Sequence, residues 1–310
     1  MLSFDYTVDL QLSETLAEID QFRSRILCLP VSTKTELRLR WETLAIRTWA
    51  TLALAGHELP KHHVATILSH TARPTQSTAV IYAIRIAYEY IHTIWRASPK
   101  PFNTGGAQTL FTLLYPHPEK PFSALQEPIS RLTTYLSAEN AHPVIQASIA
   151  HLYILTMSRA DLGLFARMTH YLILAKYGYD VRGLSAPDRQ WQEDANTYTR
   201  LADNYRANGH MTTWLAFMAE HMRQNLELIA RDMESSRFRI EFPPSFWALS
   251  DRQKDIVRLL EKPDMTITNR YVQKHFKVSQ ITASRDLTKL TTLGILYPHG
   301  KGRSVYYTKI

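Results

Sequence analysis

A single cysteine, Cys28, stands among 310 residues, so no disulfide can form within the chain and a reducing compartment is expected. Long apolar runs are missing as well. No stretch approaches the roughly 18–20 apolar residues that a membrane-spanning helix needs. The leading residues MLSFDYTVDLQLSE are acidic and interrupted, where a secretory signal is basic and then apolar. The expectation is a cytoplasmic protein with no membrane partner. Catalytic fingerprints are lacking too: no Walker-type loop, dinucleotide-binding glycine turn or G-x-S-x-G elbow occurs. Thirteen histidines do not make up for this, because none stands in H-x-x-x-H or H-E-x-x-H spacing and no C-x-x-C accompanies them. No metal site is expected.

What is present is an ordinary folded composition. Hydrophobic residues make up 45% of the chain with charges of both signs, and the length suffices for two domains with a substantial core. Charge is not spread evenly. From Asp251 to Ile310 twelve Lys or Arg face five Asp or Glu, so +7 of the total +8 sits in the last 60 residues. A boundary precedes that segment: a helical run around Met211 to Met233 ends in ESSRFR, and IEFPPSFWALS follows with paired prolines.

The order of elements beyond the boundary is informative. Asp251 to Glu261 places Ile256, Leu259 and Leu260 at helical spacing after a Ser250 cap. A short helix follows the polar cap Thr268, with Val272 and Phe276 four apart. A third helix, capped by Ser279, is expected to carry Ile281, Leu287 and Leu290 inward and to stop at Gly294. ILYP and SVYYT around HGKGR then form two short strands with a tight turn. Helix, helix, recognition helix and hairpin make a winged helix, and VSQITASRDLTKLTTLGIL is similar to winged-helix regulators generally. In such domains the third helix enters the major groove by its N-terminal residues and the wing touches the backbone. The candidate DNA-binding residues are therefore Gln280, Thr282, Ser284, Arg285 and Lys289 on the helix, with Lys301 and Arg303 on the wing. Winged helices also serve as dimerisation or protein-docking modules, and Arg285 has carboxylates nearby with which to pair. The concentration of positive charge in this one segment favours DNA.

Upstream, His142 to Asp180 reads HPVIQASIAHLYILTMSRADLGLFARMTHYLILAKYGYD. His142, Pro143, Ala147, Ala150 and His151 match a helix beginning H-P-x-x-x-A, and Leu172, Leu174, Gly178 and Tyr179 match a second helix ending near G-Y. On these anchors the segment resembles the Fic family, which moves AMP from ATP onto protein hydroxyls. The family joins the two helices by H-P-F-x-D/E-G-N-G-R-x-x-R. Here TMSRADLGLFARM stands between them, with no histidine, no Gly-Asn-Gly and no Arg-x-x-Arg. Alignment from the first helix puts Ser158 at the histidine position. Alignment back from Gly178 puts Thr156 there and Arg167 at the last arginine. Neither hydroxyl acts as a base near neutral pH, and Leu164 and Phe165 occupy the place of the phosphate-cradling turn. His151 reads as a packed core residue.

Two further departures accompany the first. Many Fic proteins carry an inhibitory helix with S/T-x-x-x-E-G/N; the segment resembling it is Thr51 to Gly56, TLALAG, on a helical run from near Thr35, with Ala55 at the glutamate position. The family's β-hairpin flap, which docks target peptides, would follow the helix of Thr109 to Leu114. Three prolines between Pro116 and Pro121 leave little room for paired strands there. The resemblance spans about Leu16 to Ile229 and includes LSAPDRQWQEDANTYTRLADNYRANGHMTTWLAFMAEHM, whose Trp214 and Phe217 read as core.

The expected fold is mainly α: a Fic-like helical body over residues 1–240, then a small winged-helix α+β domain over 247–310. The expected function is regulation through DNA, without catalysis, cofactor or ATP, in a chain that could pair as a homodimer. The competing classes are a nucleotide transferase with a remodelled loop and a protein-binding, antitoxin-like module.

Overall fold

Apolar residues at helical spacing dictate helices through most of the chain, and the computed structural model contains them. It describes residues 2–29, 31, 33–69, 75, 78–118, 121–138, 140–157, 162–235, 249–260, 265–293, 295–300 and 305–309. In order, α1 is Leu10–Cys28, α2 Thr33–Leu54, α3 Lys61–Ser69 and α4 Ala79–Tyr90, which runs on into a π-helical turn, Ile91–Trp95. Then come α5 Thr104–Leu114, α6 Ser123–Ala138, α7 Pro143–Leu155, α8 Gly163–Lys176, α9 Asp188–Glu193, α10 Ala195–Asn208 and α11 Thr212–Ser235. The C-terminal part holds α12 Asp251–Leu259, β1 Ile267–Thr268, α13 Asn269–Phe276, α14 Gln280–Thr292, β2 Leu296–His299 and β3 Tyr306–Lys309. No helix among the described residues is long and apolar enough to cross a membrane.

Two separate hydrophobic cores form. One gathers residues from Leu12 to Ala230, the other residues from Leu249 to Leu296. The boundary expected between 240 and 247 lies outside the described residues. At the centre of the first core α7 and α8 pack together, buried on almost every face. Their ends are held by the two anchors read from the sequence. His142 caps α7 by accepting the Val144 N–H at Nδ1. Its Nε2 lies 3.1 Å from the Tyr179 hydroxyl, which donates to Asp20 on α1 at 2.5 Å. The start of α7 and the exit of α8 are thus tied to the same carboxylate. His151 is fully buried, 2.7 Å from the Tyr198 hydroxyl and walled by Trp191, Trp214 and His170. Burial first, then the neighbouring His170 and Arg167, holds its imidazole well below the ordinary value, so it is a neutral core residue.

α2 crosses this core as a polar pin. Arg47, buried, donates to the Ser185 carbonyl, faces Asp188 at 3.4 Å and stacks its guanidinium 3.6 Å over the Tyr171 ring. One turn on, Thr51 donates to Asp188 at 3.2 Å. Between Leu114 and Ser123 no strand occurs among the described residues, in keeping with the prolines there. The C-terminal sheet has the order β1-β3-β2, antiparallel throughout, with Leu296 opposite Lys309 and Ile267 opposite Tyr307. The hairpin was expected. Strand β1 was not, because two residues carry no period that a sequence can display.

Glu42 on α2 is 4% exposed, and neither carboxylate oxygen has a hydrogen-bond partner among the described residues. Arg38 is its nearest cation, 3.6 Å away. Burial raises the carboxyl from its ordinary 4.5 to about 8, with Arg38 opposing. The unfolded chain releases this proton near 4.5 and the folded one keeps it to about 8, so the folded state binds more protons across that interval and stability falls as pH rises through it. Glu42→Gln removes this fall. Urea midpoints of variant and parent, taken from pH 5 to 8, are expected to diverge steadily in the variant's favour.

Candidate nucleic-acid interface and the cavity of the body

Local hydrogen bonds build the winged helix from its caps outward. Thr268 accepts the Tyr271 N–H at 3.1 Å to start α13, and Ser279 accepts the Thr282 N–H at 3.2 Å to start α14. Between them Lys277 takes a left-handed conformation, φ 51°, closing a short helix-turn-helix corner. Inward, α14 buries Ala283, Asp286, Leu287, Leu290 and Thr291. Asp286 is 4% exposed and accepts from Arg252 Nε at 2.6 Å and Gln253 Nε2 at 2.8 Å, joining α12 to α14.

Gln280, Ser284, Arg285 and Lys289 are all exposed on α14, with Gln280 and Lys289 on its opposite flanks. Arg285 forms no ion pair among the described residues, because its neighbouring carboxylate, Asp286, is turned to α12. The Ser284 hydroxyl accepts from Asn269 at 2.7 Å, and Asn269 is itself held by Gln273. Thr282 is half-buried with its hydroxyl 2.9 Å from Ser279, so it serves the helix cap. Lys301 and Arg303, like Gly294, lie outside the described residues. One expectation is corrected: Ile281 does not face the core but is 69% exposed. Six residues separate it from Leu287, which is not a helical period; Ala283, four before Leu287, takes the inward place.

The far end of α14 rests on the body. Thr66 on α3 donates to the Thr292 carbonyl at 2.8 Å and Ser69 to the Thr291 carbonyl at 3.0 Å. These are among the carbonyls that a helix C-terminus leaves without intrahelical partners. Arg85 on α4 adds a bond to the Tyr297 hydroxyl on β2 at 3.2 Å.

Within the body a cavity of 440 Å³ opens where α2, α8 and α10 meet. Thr51, Ala55, His57, Gly163, Arg167 and Arg206 are among its lining residues. Arg167 is buried and already engaged: its Nε donates to the Thr51 hydroxyl and its Nη2 to the Thr51 carbonyl, both at 3.1 Å. Arg206 donates to Asp203 at 2.5 Å and to the Leu155 carbonyl at 3.0 Å. His57 was not foreseen. Gly56, at φ +82°, ends α2, and the His57 N–H returns to the Leu52 carbonyl at 2.9 Å, which turns the next side chain to the cavity. The signal was the glycine directly after an apolar helical run.

The whole chain is similar to the crystal structure of a Fic family protein from Desulfovibrio desulfuricans: 15% identity, TM-score 0.63, covering 100% of this chain and 98% of that one. Fic-1 from C. elegans matches at 13% identity and TM-score 0.55, over 70% of this chain and 71% of that one. A Fic-domain-containing signalling protein from Bacteroides thetaiotaomicron matches at 12% and 0.55, over 70% and 98%. The body has the Fic fold. Residues 252–305 match the DeoR-like helix-turn-helix domain. No curated protein matches the sequence.

Set on the Fic fold, the residues aligned with the motif separate. Arg167 borders the cavity, whereas the Thr156 hydroxyl is turned back to the Leu152 and Tyr153 carbonyls at 2.8 and 3.3 Å. Ser158 lies outside the described residues. Leu164 lines the cavity, and Phe165 packs edge-on against Phe111 in the core. Thr51 and Ala55, on the segment resembling the inhibitory helix, do stand at the cavity's edge.

Asp286 sets the strength of the α12–α14 contact. Asp286→Ala is expected to weaken the C-terminal domain by about 2–3 kcal/mol, the scale of hydrogen bonds to a charged group. Amide exchange of α12 and α14 in the full chain measures it; protection equal to the parent's would show that the Arg252 and Gln253 bonds contribute nothing.

Proposed function

We propose that the protein is a transcription regulator that binds DNA through α14 and the wing, carried by a Fic-fold body that does not transfer AMP. The observation carrying this reading is the exposure of Gln280, Ser284, Arg285 and Lys289 on the second helix of a helix-turn-helix, in the segment that holds +7 of the net charge. Such a surface offers base-edge donors and acceptors beside phosphate-seeking cations. The loss of catalysis is supported by the missing Fic loop, by Leu164 at the cavity and by the engagement of Arg167 with Thr51. Lacking a general base alone costs roughly 10²–10⁴ in rate, and lacking the anion-binding turn removes an electrostatic contribution usually larger still. The body then acts as a scaffold, and a homodimer would present two recognition helices to a two-fold site.

Selection from a random duplex pool at two salt concentrations tests this. A motif that survives the higher salt is expected. Arg285→Ala with Lys301→Ala should lower affinity for that motif and reduce the salt slope, with about 1–3 kcal/mol lost at a base-reading arginine. Equal binding by parent and double variant would overturn the site.

His57 in the cavity supports a second reading, a transferase whose base comes from the end of α2 rather than from the missing loop. Incubation with labelled ATP, magnesium or manganese and lysate separates the two. The regulator reading expects no labelled protein. Labelling that His57→Ala or Arg167→Ala abolishes would replace it.

A further inference from the structure

The outward face of the recognition helix is not wholly polar. Ile281 is 69% exposed in the first turn of α14, well beyond Tyr271 at 37% or Tyr306 at 39% in the same domain. A lone exposed apolar side chain needs no explanation by itself. This one stands beside two candidate DNA contacts: Ser284 and Arg285 follow it by three and four residues, Thr288 follows by seven, and all are exposed. That spacing makes a single stripe on a helix. Gln280 precedes it, and Asn269 fixes the Ser284 hydroxyl beside it. The stripe therefore offers an amide, a hydroxyl and a guanidinium around one branched hydrocarbon group.

In the major groove the 5-methyl of thymine is the apolar mark on the base edges, and an apolar side chain can read it. Isoleucine has no hydrogen-bonding group with which to read anything else, and its β-branch restricts χ1, so little rotamer freedom is lost on contact. The N-terminal turn that carries it is the part of such a helix that meets base edges. We infer that Ile281 is a specificity residue that packs on the methyl group of a thymine in the bound site. The inference rests on the DNA-binding reading and adds the base that is recognised.

The test uses the full-length protein and the duplex motif it selects. Each thymine of the motif is replaced in turn by deoxyuridine, which removes only the methyl, and both the parent and Ile281→Ala are titrated. At one thymine per recognition helix the parent is expected to lose about three- to five-fold in affinity, the contribution of one buried methyl. At that position the variant should bind thymine and uracil alike, while its non-specific duplex binding and thermal stability match the parent's. A parent indifferent to every uracil, or a variant that loses as much as the parent at the same base, overturns the assignment. A variant that changes association state and not base preference overturns it too, in favour of a protein contact. Failure of the parent to select any duplex motif is a different result, which removes the DNA-binding reading and the inference with it.

Discussion

The structure depends on burying charge on α2 without leaving it alone. Arg47 and Thr51 sit one turn apart on a helix that crosses the core, and between them they engage the Ser185 carbonyl, Asp188, the Tyr171 ring and Arg167. A buried guanidinium is tolerable only where carboxylate, carbonyl and aromatic face surround it. That requirement holds α2 against α8 and α9, and Thr51 and Arg167 of the same cluster line the cavity. It also occupies Arg167. Two of its N–H groups are spent on Thr51.

Several features were legible because they are local. Short polar caps at Thr268 and Ser279 announce helix starts, and both accept the backbone N–H that the sequence assigns them. His142 and Tyr179 were recognisable as family anchors, although their meeting at Asp20 was not, since the carboxylate lies on α1, far away in sequence. Ile281 shows where apolar character misleads. Leu287 and Leu290 fix the inward direction of α14, and a β-branched residue six positions earlier looks like core until the helical angle is followed. β1 was too short to show a period, His57 was marked only by the glycine before it, and the contact of α3 with α14 depends on which distant segment lies opposite.

The molecule joins a body that holds a 440 Å³ cavity to a helix-turn-helix whose second helix, α14, has an exposed leading turn. Its two cores are separate, yet hydrogen bonds from α3 and α4 cross between them. At the centre of the body α7 packs on α8, and Phe165, at the place of the motif turn, is itself part of that core.

Thr66 and Ser69 bear on modularity. A helix-turn-helix is usually treated as a part that can be cut out and fused elsewhere. Here the Thr292 and Thr291 carbonyls at the end of α14 accept from hydroxyls of the body, more than two hundred residues earlier in the chain, whose protons are shared with the His62 and Thr66 carbonyls of α3. Transplanted alone, α14 would leave those groups to water and fray from that end. The helix-turn-helix segment, though it has its own core, thus draws part of the capping of α14 from the body.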